Sequence, residues 1–299
     1  MSDTNKYQSS KTEAGTLQII EPDIKDLGGF NVRRVLPAPS RRMVGPFIFF
    51  DHFGPTELPP GEGVQVRPHP HIGLSTVSYL FEGEIIHRDS LGYVQAIQAE
   101  AVNLMTAGRG IVHSERSDQN LDRVSRLHGI QAWMALPRKL EECDPEFIHY
   151  PASSLPGFEQ DGVSIRLIMG EMSGHESPVK QTVPTLYLEC HLNSGAVLSL
   201  PDNYDEIAAY VVSGELRIGQ TMVAEGLMVV AAAGETMRLE ATCDSHVMIV
   251  GGAKFGKRHL WWNYVSSSQQ RIEQAKQDWR ENRFDAVPGE TEFTPLPDA

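Results

Sequence analysis

Short apolar runs recur along this chain, each closed by Gly, Asn, Asp or Pro: VSYLFEG, VNLMTAG, GIQAWMAL, SIRLIMG, LYLECHL, IAAYVVSG and LMVVAAAG. Runs of that length between turn residues read as strands, and their regular spacing predicts an all-β sandwich or barrel. One segment differs. Ser267 with Gln270 three residues on resembles a capping box, and Ile272, Ala275 and Trp279 then recur at helical spacing. This predicts a terminal packing helix that lays its apolar stripe on a β core and leaves Glu273, Lys276 and Arg280 in water. Pro137 to Asp161 is the expected linker between two halves. Residues 1 to about 14 are polar and expected to fray, and a Pro-rich tail starts at Pro288.

The halves resemble one another. Tyr79-Leu80-Phe81-Glu82-Gly83-Glu84-Ile85 has a counterpart in Tyr210-Val211-Val212-Ser213-Gly214-Glu215-Leu216, 131 residues later. Downstream, Ala99-Glu100 leading to Ala107-Gly108 is echoed about 125 residues later by Ala224-Glu225 leading to Ala233-Gly234. A repeat at nearly constant offset predicts two copies of one β unit. A length of 299 residues suits two such cores.

Charge and cysteine usage narrow the chemistry. Twenty-six Lys plus Arg stand against 39 Asp plus Glu, a net charge of −13, so direct binding to nucleic acid is not expected. The apolar run Leu227 to Ala233 is far shorter than the ~20 residues a membrane span needs. The opening MSDTNKYQSS has no apolar segment of a secretory signal. Cys143, Cys190 and Cys243 are odd in number and widely spaced, which predicts incidental thiols and a reducing, cytoplasmic location.

Two short motifs carry candidate chemistry. In Arg67-Pro68-His69-Pro70-His71-Ile72-Gly73 the two histidines are at i and i+2, on one face of a strand. The two prolines place that strand at an edge or barrel mouth. In Thr106-Ala107-Gly108-Arg109-Gly110-Ile111-Val112-His113-Ser114-Glu115, an imidazole and a carboxylate share the same spacing. Composition alone yields roughly 0.4 H-x-H pairs in a chain like this, so the first pair by itself says little. The second pair, 42 residues downstream, makes a three-nitrogen, one-oxygen metal site the sharper reading. His87 and His128 read as satisfied strand histidines or as outer partners of the site. His52 is expected near the mouth with Phe50 and Phe53. Arg41-Arg42 and the Lys254, Lys257, Arg258 cluster read as solvated surface.

P-H-P-H-x-G, Y-L-x-E-G, H-R-D-S-x-G (His87 to Gly92) and M-T-A-G-R-G-I-V-H-S-E together resemble the pirin family of bicupins. So do Phe49-Phe50-Asp51-His52-Phe53-Gly54-Pro55 and Trp261-Trp262-Asn263. The resemblance implies two tandem cupin (double-stranded β-helix, jelly-roll) barrels with a C-terminal helix. The halves divide as 15–145, a metal-binding barrel, and 146–299, a barrel lacking metal ligands. It implies His69, His71, His113 and Glu115 as ligands to one divalent transition metal, usually iron, with nickel, manganese or copper compatible. Applied to the second half, the repeat offset places Leu200, Asp202 and Asp244 where ligands would stand, with His246 nearby and unpaired. One departure is Ala99-Glu100-Ala101, where many relatives carry Pro-Gly-Asp, so a changed turn is expected there.

The resemblance also implies two functions. Bacterial members resemble quercetin 2,3-dioxygenases, which cleave a flavonol or related enolisable aromatic with O2, and Glu115 would be the catalytic proton acceptor. Animal members resemble redox-sensitive regulators that act through protein partners.

Overall fold

The computed structural model describes residues 17–26, 31–117, 122, 124–231 and 235–297. The expected frayed start and the Ala233-Gly234 end of the repeat lie outside the described residues. The strands are, in order, β1 (Gln18–Ile20), β2 (Asp23–Asp26), β3 (Asn31–Leu36), β4 (Phe47–Leu58), β5 (Gln65–His71), β6 (Leu74–Glu82) and β7 (Glu84–Asp89). There follow β8 (Val94–Gln98), β9 (Val102–Thr106), β10 (Ile111–Arg116), β11 (Ser125–Ala135), β12 (Glu146–Tyr150), β13 (Gly157–Gln160) and β14 (Val163–Met169). Then come β15 (Glu171–Met172), β16 (His175–Glu176), β17 (Thr185–Leu192), β18 (Val197–Ser199), β19 (Glu206–Ser213) and β20 (Glu215–Ile218). The last are β21 (Thr221–Ala224), β22 (Met228–Val230), β23 (Arg238–Ala241), β24 (Ser245–Gly252), β25 (His259–Trp261) and β26 (Tyr264–Ser266), before α1 (Gln269–Arg280).

Two pairs of sheets repeat one plan. A seven-stranded sheet in the order β12-β9-β6-β11-β4-β3-β2 faces a four-stranded sheet in the order β5-β10-β7-β8. The second half gives β1-β22-β19-β24-β17-β14-β13 and β18-β23-β20-β21, so each strand of one barrel has a counterpart in the other. The repeat seen in the sequence falls on β6 and β19. Each ends in a glycine of positive φ, Gly83 at +96° and Gly214 at +88°. A side chain at either would meet backbone or a packed hydroxyl, Arg126 O at 2.2 Å or Ser245 Oγ at 2.4 Å. Only glycine fits both demands.

Alternation along the central strands accounts for their near-continuous apolar sequence. Ile207, Ala209 and Val211 of β19 point into the second barrel, whereas Ala208, Tyr210 and Val212 point to the first. A strand buried on both faces has no polar alternation. The apolar seam joins Phe50, Val77 and Tyr79 to Tyr187, Tyr210 and Met248, with Phe50 edge-on to Tyr210 at 5.2 Å. Each buried aromatic contributes roughly 1.5–3 kcal/mol, against about 0–1 for an exposed pair such as Arg126–Glu57. The seam therefore holds the barrels together.

Two edge strands cross the seam. β1 pairs antiparallel with β22 at the edge of the second barrel's sheet. β12, just past the expected boundary at 145, pairs with β9 at the edge of the first. The expected linker is thus ordered backbone that contributes β12 to one barrel and β13 to the other. The terminal helix is found as expected, except that Ser268, not Ser267, is the N-cap, its side chain accepting from Arg271 N, and that Lys276, expected in water, lies over the Trp261 ring with its side chain 15% exposed. Its buried residues Ile272 and Ala275 pack on Tyr264 and on Ile72 of the first barrel, not on the barrel that precedes it.

The Pro-rich tail is docked there too. Thr294 N donates to Pro68 O, and Glu290 takes Arg116 Nε at 2.8 Å, Arg116 Nη2 at 2.7 Å and the Ser114 hydroxyl at 2.8 Å. Those bonds, the Arg116 pair foremost, hold the Glu290 carboxyl below its usual range. A lowered folded-state value means that the clip is at full strength above the ordinary carboxylate value of 4.5 and weakens as pH falls below it. Hydrogen exchange at the Thr294 amide is therefore expected to accelerate as pH is lowered through that range, after correction for intrinsic rates. Glu290→Ala should accelerate it about tenfold at neutral pH, for a loss of about 1.4 kcal/mol.

Candidate metal centre

Register brings the two sequence motifs together. β10 pairs with β5 so that His113 stands opposite His69 and Ile111 opposite His71, which puts all three imidazoles on one face. Their candidate ligand nitrogens lie within 4.8 Å of one another, and all three residues are buried. His71 Nε2 is 3.1 Å from His113 Nε2. Two nitrogens each about 2.1 Å from one ion are separated by roughly 3.0–3.4 Å in octahedral or tetrahedral geometry. The observed spacing fits.

The outer nitrogens fix the tautomers. His69 Nδ1 donates to Arg67 O at 2.9 Å, and His71 Nδ1 to Asn263 O at 3.2 Å. On His113 the partner is a second histidine: Nδ1 lies 3.3 Å from His87 Nδ1, and His87 Nε2 is 3.0 Å from Asp89 Oδ2. A carboxylate accepts, so His87 carries its proton on Nε2 and accepts from His113. Asp89 is held in turn by the amides of Leu91 and Tyr93. All three ligand candidates therefore turn an Nε2 lone pair inward, the outer-shell arrangement that orients metal-binding imidazoles. Burial lowers all three pKa values, that of His69 to about 4, and leaves the rings neutral near pH 7. This donor set can hold a metal ion.

Glu115 is one strand step away. It lies on the same face of β10, paired with His87 on one side and, across a bulge, with Val66 on the other. Its carboxylate is not among the atoms of the three-histidine cluster. Gln131 Nε2 approaches it at 3.5 Å. Burial raises its pKa, partly opposed by His87 and a hydrogen bond to Ser78. A wall is formed by Trp133, edge-on to His71 at 5.1 Å and stacked on Phe49 at 3.9 Å.

The remaining candidates separate clearly. His52 is not at a barrel mouth: alternation along β4 turns it with Phe50 into the seam, where it meets the Tyr210 hydroxyl and His128, both at 2.8 Å. Cys190 is buried with its thiol pKa pushed up by burial, and all three cysteines are unpaired. Inside the second barrel, β18 and β23 take the places of β5 and β10 and offer Leu198 and Leu239 to the core. Asp202 and Asp244 are exposed. Glu100 takes φ +63° in the turn where the departure from the family pattern occurs. Sequence reasoning passed over Asp89, although His87 and Asp89 have the same i, i+2 spacing as the ligand pairs. No local signal marks Asn263, which is 192 residues from His71.

Among known proteins, family models described as Pirin and as Pirin C-terminal cupin domain match residues 29–134 and 187–285. A pirin-like protein of Caulobacter vibrioides is 48% identical over 92% of this chain and 96% of its own. A Pseudomonas aeruginosa protein named provisionally as a quercetin 2,3-dioxygenase is 38% identical over 88% of this chain and 84% of its own. The crystal structure of a quercetin 2,3-dioxygenase from Acinetobacter baumannii superposes with a TM-score of 0.88 at 32% identity, covering 95% of each chain.

The outer partners make the centre testable. Asp89→Asn should weaken metal binding about 10–100-fold while leaving the fold intact. Titration of the metal-free protein with the ion and far-UV circular dichroism read the two effects separately; unchanged affinity would remove His87 and Asp89 from the centre.

Proposed function

The chain belongs to the pirin family, and from that premise we propose that it is a metal-dependent dioxygenase acting on a flavonol such as quercetin, or on a related enolisable aromatic. The reaction opens the oxygen heterocycle: two ring bonds break, one carbon leaves as carbon monoxide, and both atoms of dioxygen enter the products. The observation that carries this reading is the convergence of three buried, neutral imidazoles beside a carboxyl group of raised pKa. The named activity of the relatives from P. aeruginosa and A. baumannii supports it.

His69, His71 and His113 would hold the metal, with Glu115 as the fourth ligand. Iron is the ion we propose, and nickel, manganese and copper satisfy the same donors. When bound, the ion supplies Lewis acidity towards the flavonol hydroxyl and a redox partner for dioxygen. The other steps belong to the chain. Glu115 accepts the hydroxyl proton, for which its raised pKa suits it better than an ordinary surface carboxylate. Gln131 and Ser78 orient its oxygens. Phe49 and Trp133 contribute an apolar, aromatic wall that keeps water from a planar substrate.

Anaerobic loading of the iron protein with quercetin, then admission of oxygen, should bleach the flavonol absorbance and release carbon monoxide. Absence of both with every one of the four metals would overturn the enzymatic reading and favour the regulatory one. Glu115→Gln should lower kcat by about 10²–10⁴ while the purified protein keeps most of its metal, and His71→Ala should lose the metal itself. Elemental analysis beside the rate assay separates the two effects.

A further inference from the structure

A second ligand cluster lies on the outer face of the second barrel, where the sequence offset places none. β17 and β24 pair so that His191 stands directly opposite His246, and Glu189 sits two residues before His191 on the same face. That face is turned towards the first barrel, as Tyr187 on the same alternation shows.

The three side chains converge. Glu189 Oε1 lies 3.0 Å from His246 Nε2 and 3.5 Å from His191 Nε2, and the three ligand atoms lie within 4.8 Å of one another. The two carboxylate-to-imidazole separations, 3.0 and 3.5 Å, are those of donors about 2.0–2.2 Å from a common centre. His246 Nε2 is buried and, close as it is to Glu189, has no hydrogen-bond partner.

The surroundings orient the carboxylate. Tyr79, from the first barrel, donates its hydroxyl to Glu189 Oε2 at 2.6 Å. Arg166 Nε stands 3.9 Å from the same oxygen but is paired with Glu100 at 2.5 Å, so its charge is already matched. Oε1 is thereby left facing the two imidazoles. Phe81 packs edge-on against His246 at 4.5 Å, and the His191 ring stacks on His246 at 4.2 Å. The His191 side chain is 58% exposed, which gives an ion a route in and leaves room for water to complete its coordination.

We propose that Glu189, His191 and His246 form a second metal site, for a borderline divalent cation such as zinc, cobalt or nickel, at the seam between the barrels. Two imidazoles and one carboxylate suit those ions better than the oxygen-seeking magnesium or calcium. The site is distinct from the three-histidine centre inside the first barrel and does not depend on it. Tyr79 ties its carboxylate to the first barrel, so an ion there bonds the two strands of one sheet and rests against the other barrel.

Titration of the metal-free full-length chain with Zn2+ by calorimetry tests this. Two equivalents are expected. His191→Ala, at an exposed position that the fold tolerates, and Glu189→Gln should each weaken one of them by more than the roughly 10–100-fold that loss of an outer-shell partner causes. His71→Ala should remove only the other equivalent. Anomalous scattering at the zinc edge should place the second ion against Glu189, His191 and His246. A second equivalent indifferent to His191→Ala and Glu189→Gln, or no uptake beyond the barrel centre, would overturn the proposal. If instead the barrel centre fails, one equivalent should remain that survives His71→Ala and is lost in His191→Ala.

Discussion

Two imidazole nitrogens 3.1 Å apart, each turning a lone pair to the other, repel unless a cation lies between them. Much of the first barrel is arranged to enforce that opposition. The carbonyl of Arg67 holds one ring and that of Asn263 another, while the Asp89–His87 pair holds the third. Each anchor belongs to a different element, so the centre depends on the strand pairing of β5, β7 and β10 and on the return of the chain's last segment to the first barrel. Burial adds the second condition, since rings that stay neutral keep their lone pairs available near pH 7.

The seam solves a different problem with the same means. Two sheets that each need a covered outer face cover one another, and two of the polar groups caught between them find partners across the boundary. Tyr79 reaches Glu189, and His52 reaches Tyr210. Hydroxyl groups of tyrosine serve well there, because the ring supplies apolar area while the tip satisfies an acceptor.

What could be read from the sequence was whatever is carried by neighbours along the chain. The pairs His69/His71 and His113/Glu115 declare a shared face through their spacing, and Gly83 and Gly214 declare matching turns. The helical stripe of Ile272 and Ala275 was legible, but not its destination, because nothing in its period says which barrel receives it. His191 and His246 were each visible as isolated histidines. Their apposition arises from the register of β17 with β24, a relation between positions 55 residues apart that no local pattern expresses. His52 was placed with its aromatic neighbours, but Phe50 and Phe53 fall on opposite sides of β4, and the histidine follows the former into the seam.

The exchange of edge strands has a consequence for modularity. β1 precedes the first barrel yet completes the second, while β12 precedes the second yet completes the first, and 128 positions separate Gln18 from Glu146. The duplicated halves are therefore laced together reciprocally. Severing the polypeptide near residue 145 would strip each fragment of a border strand and expose unsatisfied amides and carbonyls along both rims. The amino-terminal fragment would also forfeit the covering hairpin and helix that supply Asn263. Neither half of the chain carries every strand of its own sheet, so a single cut between them releases no complete barrel.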